Sequence, residues 1–287
     1  MREYADRVAV ITGAASGIGY GLAKKCAGNN MHVILADIND AALKKKDDEL
    51  SRSSRGCTMM PTDVSKADDV QRLANHSFDS YGKVDFLFIN AGVNILAFMW
   101  EYDIFDWRWI IDVNLWGTIH CLRAFLPRML RQENVSHIVI TSSGGAFLPF
   151  QTAGPYNATK YAVLGLAETL SNEVKIEKSK VRVHALCPGM VNTHIDNAEA
   201  QRQKEYMNPC IAYGSEERTK YRIPRKAVEA GISPEMVADE VFLSIEKNEF
   251  YIFPQPAMKE MITRKYENLL QKNMPLDLSR SLTKGEQ

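Results

Sequence analysis

Near the start of the chain, the eight residues Thr12-Gly13-Ala14-Ala15-Ser16-Gly17-Ile18-Gly19 constrain the fold more than any other stretch. Three glycines here follow the apolar run Val8-Ala9-Val10-Ile11 and open an amphipathic segment. The order predicts a strand, a tight turn and a helix. Glycines at such a turn let the backbone approach a pyrophosphate, and the exposed N–H groups and positive dipole end of the helix favour its negative charge. The spacing, G-x3-G-x-G, departs from the G-x-G-x-x-G dinucleotide fingerprint. A second apolar run, His32-Val33-Ile34-Leu35-Ala36, ends in Asp37, 18 residues beyond Gly19, about where an acidic residue takes adenosine ribose hydroxyls. The first forty residues therefore point to a nicotinamide dinucleotide site. The competing reading is an ordinary α/β turn that happens to be glycine-rich.

The rest of the chain alternates short apolar β-type runs with helix-period segments. Strands are predicted at Cys57 to Thr62, Val84 to Ile89, His137 to Thr141, Val181 to Leu186 and Phe250 to Phe253. Strands separated by helices imply right-handed parallel crossovers and a sheet covered on both faces, a doubly wound α/β architecture with ligands at the carboxyl ends of the strands. Polar residues close these runs at that edge: Asp37, Asp63, Asn90, Ser142-Ser143 and Pro188-Gly189. No linker or repeat interrupts the 287 residues, so one domain with one large core is expected. The polar region from about 190 to 233, after the sixth strand, reads either as a lid over the site or as a surface insertion. Residues 278–287 read as a poorly ordered tail.

Charge and cysteine usage narrow the partners. Thirty-five Lys and Arg balance 35 Asp and Glu, leaving no global field for nucleic acid or anionic lipid. Five scattered cysteines without a C-x-x-C pair read as reduced, mostly buried thiols, with no metal site. Without a signal-type N-terminus or an apolar run near 18 residues, a soluble cytoplasmic protein without a membrane partner is expected.

Two constellations carry chemistry. Tyr156 and Lys160 stand at i, i+4 on a helix starting near Gly154-Pro155, so their side chains share one face. An ammonium near a phenol favours the phenolate, which predicts a lowered tyrosine pKa. A surface helix pair has the same spacing. Ser142-Ser143 ends a strand 13 to 14 residues before the tyrosine, where a hydroxyl either meets a substrate oxygen or caps a turn.

Taken in order, Thr12-Gly13-x3-Gly17-Ile18-Gly19, Asp63-Val64, Asn90-Ala91-Gly92, Asn114, Ser143, Tyr156-x3-Lys160 and Pro188-Gly189-x3-Thr193 closely resemble the short-chain dehydrogenase/reductase family, Rossmann-like enzymes of about 250 residues. The resemblance spans roughly residues 8 to 195. It implies Tyr156 as general acid/base, Lys160 as its pKa-lowering partner and a ribose ligand, Ser143 as the donor that orients the substrate oxygen, and Asn114 in a water-linked relay with Lys160. The resemblance prefers Ser143 to Ser142 because the 13-residue spacing to Tyr156 fits the family pattern, and adjacent strand residues face opposite ways. For the cofactor it implies Gly13, Ser16, Gly17, Ile18 and Gly19 at the pyrophosphate, Asp37 at the ribose, Asp63 and Val64 at the adenine, and Asn90, Ala91 and Gly92 on the floor. Val191 and Thr193 would hold the nicotinamide carboxamide, and Pro188 and Gly189 also belong to the cofactor site. It further implies that the helices around residues 101 to 130 and 155 to 177 pack against a second subunit. The C-terminal ending lacks the glycine common in tetrameric relatives, favouring a dimer over a tetramer.

The resulting expectation is an NAD-dependent secondary-alcohol dehydrogenase or ketoreductase. NAD is favoured because the Asp37 carboxylate would repel a 2′-phosphate. The alternative is a non-enzymatic dinucleotide-binding subunit that kept the fold. Apolar segments at Gly144 to Phe150 and Ile95 to Trp100, with Met190, predict a bulky, uncharged, cyclic or steroid-like substrate. They read equally well as core packing, and His194, Arg202 and Lys204 offer positive charge in the lid region.

Overall fold

The computed structural model describes residues 4–50, 56–211, 221, 223–272 and 275. The expected tail at 278–287, and part of the expected lid, lie outside them. Seven parallel strands form one sheet in the order β3-β2-β1-β4-β5-β6-β7. These are β1 Val8–Thr12, β2 His32–Asp37, β3 Gly56–Pro61, β4 Phe86–Ile89, β5 Ser136–Thr141, β6 Val181–Leu186 and β7 Tyr251–Ile252. The order reverses between β1 and β4, which opens the crevice where doubly wound sheets bind ligands.

Strand side chains alternate between two cores. Val8, Val10, Ile34, Ala36, Leu87, Ile138 and Ile140 face one, beneath α3 (Ala67–Tyr81), α4 (Ile104–Ile111), α5 (Gly117–Met129) and α6 (Gly154–Ile176). Ala9, Ile11, Val33, Leu35, Phe86, Phe88 and Val139 face the other, with α1 (Gly17–Gly28), α2 (Asp40–Leu50) and, beyond the short α7 (Arg225–Glu229), α8 (Pro234–Glu246). Gly21 allows α1 and α8 to touch, because a Cβ there would lie 2.6 Å from the Pro234 carbonyl oxygen. A last helix, α9 (Ala257–Leu270), follows β7.

Local chemistry sets the helix ends. Asp103 and Asp106 form a reciprocal capping box at α4, Pro155 occupies the first turn of α6, and Ser233 accepts the Met236 N–H ahead of α8. Between α4 and α5 the backbone makes one π turn, Asp112–Trp116, a feature invisible to hydrophobic periodicity. The edge strand β7 has two residues where the apolar run predicts four. Phe250 and Phe253 instead pack against the first core.

The segment after β6 leaves and returns side by side, with Val191 bridged to Ile232 and the Asn192 N–H donating to the Ile232 carbonyl. Between them, the short 3-10 turns Ile195–Gln201 and Lys204–Tyr206 run along the carboxyl edge of the sheet. Gln201 accepts from Asn39, Glu205 pairs with Lys66, and Tyr206 donates to Asp112.

Candidate active site

At the end of β1, the buried Thr12 hydroxyl accepts the backbone N–H groups of Asn90 (2.9 Å) and Ala91 (3.2 Å), and the Asn90 amide donates back to the Thr12 carbonyl (3.2 Å). Thr141, at the end of β5, donates to the Asn90 side-chain oxygen at 3.3 Å. Asn90 thus joins three strand ends across the crevice. Gly13 and Gly17 have φ of +66° and +51°, and a Cβ at Gly19 would lie 2.1 Å from the Gly13 carbonyl oxygen. The turn therefore closes tightly onto α1 because it lacks side chains.

Ser16 caps α1 in extended conformation without a side-chain bond, and the first turn holds no acidic residue. These N-terminal amides are the kind that receive phosphate oxygens. Asp37 accepts from Ala15 N–H at 3.0 Å and Asn39 N–H at 2.9 Å. Burial raises its pKa, and these backbone donors oppose the rise. The carboxylate is therefore fixed beside the glycine turn. Asp63 accepts from both the backbone and the hydroxyl of Ser65. Val64 turns inward instead, against Gly117, and is buried, so the Asp63 side chain lies on the edge while the Val64 side chain is core. The Val191 side chain is likewise buried in the second core, leaving its backbone as the group that can reach a ligand.

Three side chains converge beyond β5. Ser142 donates to the Lys160 carbonyl at 2.8 Å, while Ser143 accepts Gly145 N–H at 3.0 Å and lies beside the Tyr156 hydroxyl, whose pKa it lowers. The neighbouring serines therefore face opposite ways. Lys160 Nζ lies 5.6 Å from the Tyr156 ring centroid and donates to the Thr141 carbonyl at 2.9 Å. Asn114 sits in the π turn. Its amide clasps Val93 through N–H (2.8 Å) and carbonyl (3.0 Å) and reaches Thr159 at 3.2 Å. Gly92 separates Asn114 from Lys160, since a Cβ there would meet both polar atoms at 3.4 Å.

The spacing predicts a lowered phenol pKa, and the fold does the reverse. Burial raises Tyr156, the Ser143 hydrogen bond only partly offsetting it. Burial also lowers Lys160 to about 8. Desolvation of both groups outweighs their proximity.

The apolar segments divide. Ala146, Phe147 and Leu148 belong to the first core, so for them core packing is the correct reading. Phe150 approaches the Tyr156 ring, with centroids 6.1 Å apart. A cleft nearby is lined by Asn94, Ile95, Leu96, Ile195, Asp196, Glu199 and Ile223. Its charged lining is acidic, not basic. Arg202 does not supply positive charge there. Its side chain is fully buried, bonded to Asp106 at 2.8 Å and Glu199 at 3.4 Å, with its guanidinium 4.4 Å from the Trp109 ring. His194 and Lys204 are exposed. Sequence reasoning misses Arg202 as a buried anchor, because its partner Asp106 is 96 residues away.

Comparison with known proteins identifies the family and agrees with the fold. A family model described as short chain dehydrogenase matches residues 7–204. A short chain dehydrogenase/reductase from Burkholderia phymatum, solved in complex with NAD, superposes with a TM-score of 0.91 at 36% identity, covering 96% of this chain and 99% of that one. This chain belongs to the short-chain dehydrogenase family. Its relatives include a C alpha-dehydrogenase from Sphingobium sp., 30% identical over 96% of this chain and 90% of the relative. Another is a 1-deoxy-11-beta-hydroxypentalenate dehydrogenase from Streptomyces avermitilis, 32% identical over 85% and 83%. Like the other short-chain dehydrogenases, the protein is an oxidoreductase that works with a nicotinamide dinucleotide. No described helix is long and apolar enough to cross a membrane.

Proposed function

We propose that this chain transfers a hydride between NAD(H) and a secondary alcohol/ketone pair, acting on a bulky apolar or cyclic, steroid-like substrate. The observation that carries the proposal is the meeting of Ser143, Tyr156 and Lys160 at the carboxyl edge, next to an uncapped glycine turn. The bound nicotinamide accepts or supplies the hydride. In reduction, Ser143 orients the carbonyl oxygen and the Tyr156 hydroxyl gives it a proton as the carbonyl carbon gains the hydride; in oxidation the alcohol proton returns to Tyr156. Lys160 holds a positive charge beside the phenol, and Asn114 positions the Val93 backbone and Thr159 near it. Dinucleotide binding alone does not require a serine beside a buried tyrosine, which argues against the non-enzymatic alternative.

Asp37, with Ala15, Ser16 and Ile38 around it, supports NAD over NADP: a carboxylate accepts ribose hydroxyls and repels a 2′-phosphate. The cofactor groove would run from Asp37 and Asp63 over Gly13, Gly17, Ile18, Gly19, Ala91 and Gly92 to Pro188, Gly189, Val191 and Thr193. Ile95, Leu96, Ile195 and Ile223 favour neutral apolar substrates: the acids beside them are paired, Asp196 with Arg225 and Glu199 with Arg202, and the residues lining this cleft include no cation to pair a substrate anion. The region 190–233 acts as the lid. Exposed Ile104, Trp116, Tyr161 and Ile176 on α4 to α6 support a dimer through those helices, visible as a doubled mass in light scattering.

The test is NADH and NADPH oxidation across a neutral ketone series from short-chain to polycyclic. The expected outcome is a higher kcat/KM with NADH, rising with substrate size. A preference for NADPH refutes the cofactor assignment. A marked preference for a sugar, a 2-hydroxy acid or a phosphorylated polyol refutes the substrate class.

A further inference from the structure

The loop after β6 and the loop after β5 are tied together from the C-terminal side. Gln255 lies between β7 and α9, flanked by Pro254 and Pro256, which restrict its backbone. Its side-chain amide bridges two backbone groups of the loop after β6. The Gly189 N–H donates to its oxygen at 2.9 Å, and its nitrogen donates to the Met190 carbonyl at 2.8 Å. The Pro188 carbonyl accepts the Gly144 N–H at 2.8 Å, carrying the link to the residue after Ser143. Met258, in the first turn of α9 and buried, lies against both loops: its sulfur is 3.3 Å from where a Gly144 Cβ would stand and 3.2 Å from the equivalent point at Gly189.

We infer that Gln255 is a positioning residue for the nicotinamide half of the site. It fixes Pro188, Gly189 and Met190 and, through Pro188, the backbone next to Ser143, making the C-terminal segment part of the active site. The inference rests on the dinucleotide reading above. A side chain with two directional bonds to one loop fixes that loop's backbone. No comparable contact of Gln255 reaches the glycine turn or Asp37 among the hydrogen bonds of the described residues.

The two halves of the groove respond separately, and this supplies the test. NADH and ADP-ribose, which lacks the nicotinamide, are titrated by calorimetry into the full-length wild type and into Gln255→Met, which keeps the length of the side chain and removes both bonds. NADPH replaces NADH if the wild type binds only NADPH. The expected result is about tenfold weaker dinucleotide binding with ADP-ribose affinity within about twofold of wild type. Gln255→Glu keeps an acceptor for Gly189 but, ionised at neutral pH because a glutamate titrates at about pH 4.3, offers no donor to Met190. Its dinucleotide binding should therefore weaken while ADP-ribose affinity stays within about twofold of wild type, and this comparison stands by itself if Gln255→Met does not fold. Equal losses for both ligands, or no loss for either, overturns the inference. A wild type that binds neither NADH nor NADPH overturns the dinucleotide reading as well.

Discussion

Tyr156 and Lys160 are both withdrawn from water, and burial acts on them in opposite directions, raising the phenol and lowering the ammonium to about 8. At neutral pH the pair therefore holds a protonated phenol beside a charged lysine, the state that donates a proton to a carbonyl oxygen. As pH rises past about 8, Lys160 loses its charge and a phenolate left by donation loses its neighbouring cation. The carbonyl-reduction kcat/KM should accordingly fall above about pH 8. Tyr156→Phe should lower turnover at least ~10²-fold while leaving NADH affinity nearly unchanged. A flat profile through pH 8 to 9.5 would contradict the lysine's part. Full turnover in Tyr156→Phe, with chemistry shown to be rate-limiting, would contradict the tyrosine's. The identities and spacing of Ser143, Tyr156 and Lys160 are legible in the chain because they lie on one strand end and one helix face. Their desolvation is not, because it depends on how the loop after β5 folds back, bringing Phe150 to the Tyr156 ring and the Thr141 carbonyl to Lys160.

Among the elements, apolar runs locate strands well when both faces are buried, as in β1 and β5, where every residue is buried. They overextend at the sheet edge, where Phe250 contributes only a carbonyl that accepts the Ala185 N–H at 2.7 Å and Phe253 packs against the first core beyond the strand. The π turn is unreadable because one extra residue in a helix leaves its apolar stripe nearly intact. The strands also hide a feature with no counterpart in the motifs. His137 on β5 stacks on Phe86 with centroids 4.9 Å apart, and its Nδ1 lies 3.1 Å from His184 Nε2 on β6. His184 Nδ1 in turn lies 2.6 Å from the Glu249 carbonyl. That carbonyl only accepts, so His184 Nδ1 carries a proton and His137 Nδ1 donates to His184, leaving both rings neutral. Burial, with His184, Arg182 and Arg7 nearby, lowers His137 to about 3, and burial with Arg182 lowers His184 against the opposing hydrogen bond to Glu249. An unfolded histidine takes up its proton near pH 6.5, so below that the unfolded chain binds more protons than the folded one. Stability is thus fully present above about pH 6.5 and is lost as pH falls toward 3, at up to ~1.4 kcal/mol per pH unit per histidine. His137→Phe, which keeps a ring on Phe86, should show a shallower loss of unfolding free energy between pH 6.5 and 4.5 in urea titrations. Equal slopes for variant and wild type would show that the pair does not titrate on unfolding.

Across the molecule, the carboxyl edge is assembled from segments far apart in the chain, and the excursion after β6 is held over it by contacts that local pattern cannot reveal. The parallel architecture and the crevice follow from alternating strands and helices. The course of a polar segment follows from its partners, and these emerge only in the folded chain. Arg202 is the central anchor. Asp106 holds its guanidinium at 2.8 Å and also serves the capping box of α4, both side chains fully buried. Trp109, on the same helix, donates its indole N–H to Gln203. Because α4 runs directly into the π turn that carries Asn114, the excursion and the carboxyl edge share one support. Removing one member of a buried ion pair leaves an uncompensated charge and costs about 3–5 kcal/mol, whereas removing both charges costs much less. Arg202→Met should therefore lower Tm and abolish hydrogen-exchange protection across residues 195–208. Adding Asp106→Asn, which keeps an acceptor for the cap, should restore much of both. If the double variant proves no more stable than Arg202→Met alone, the pair is not what holds the excursion to α4.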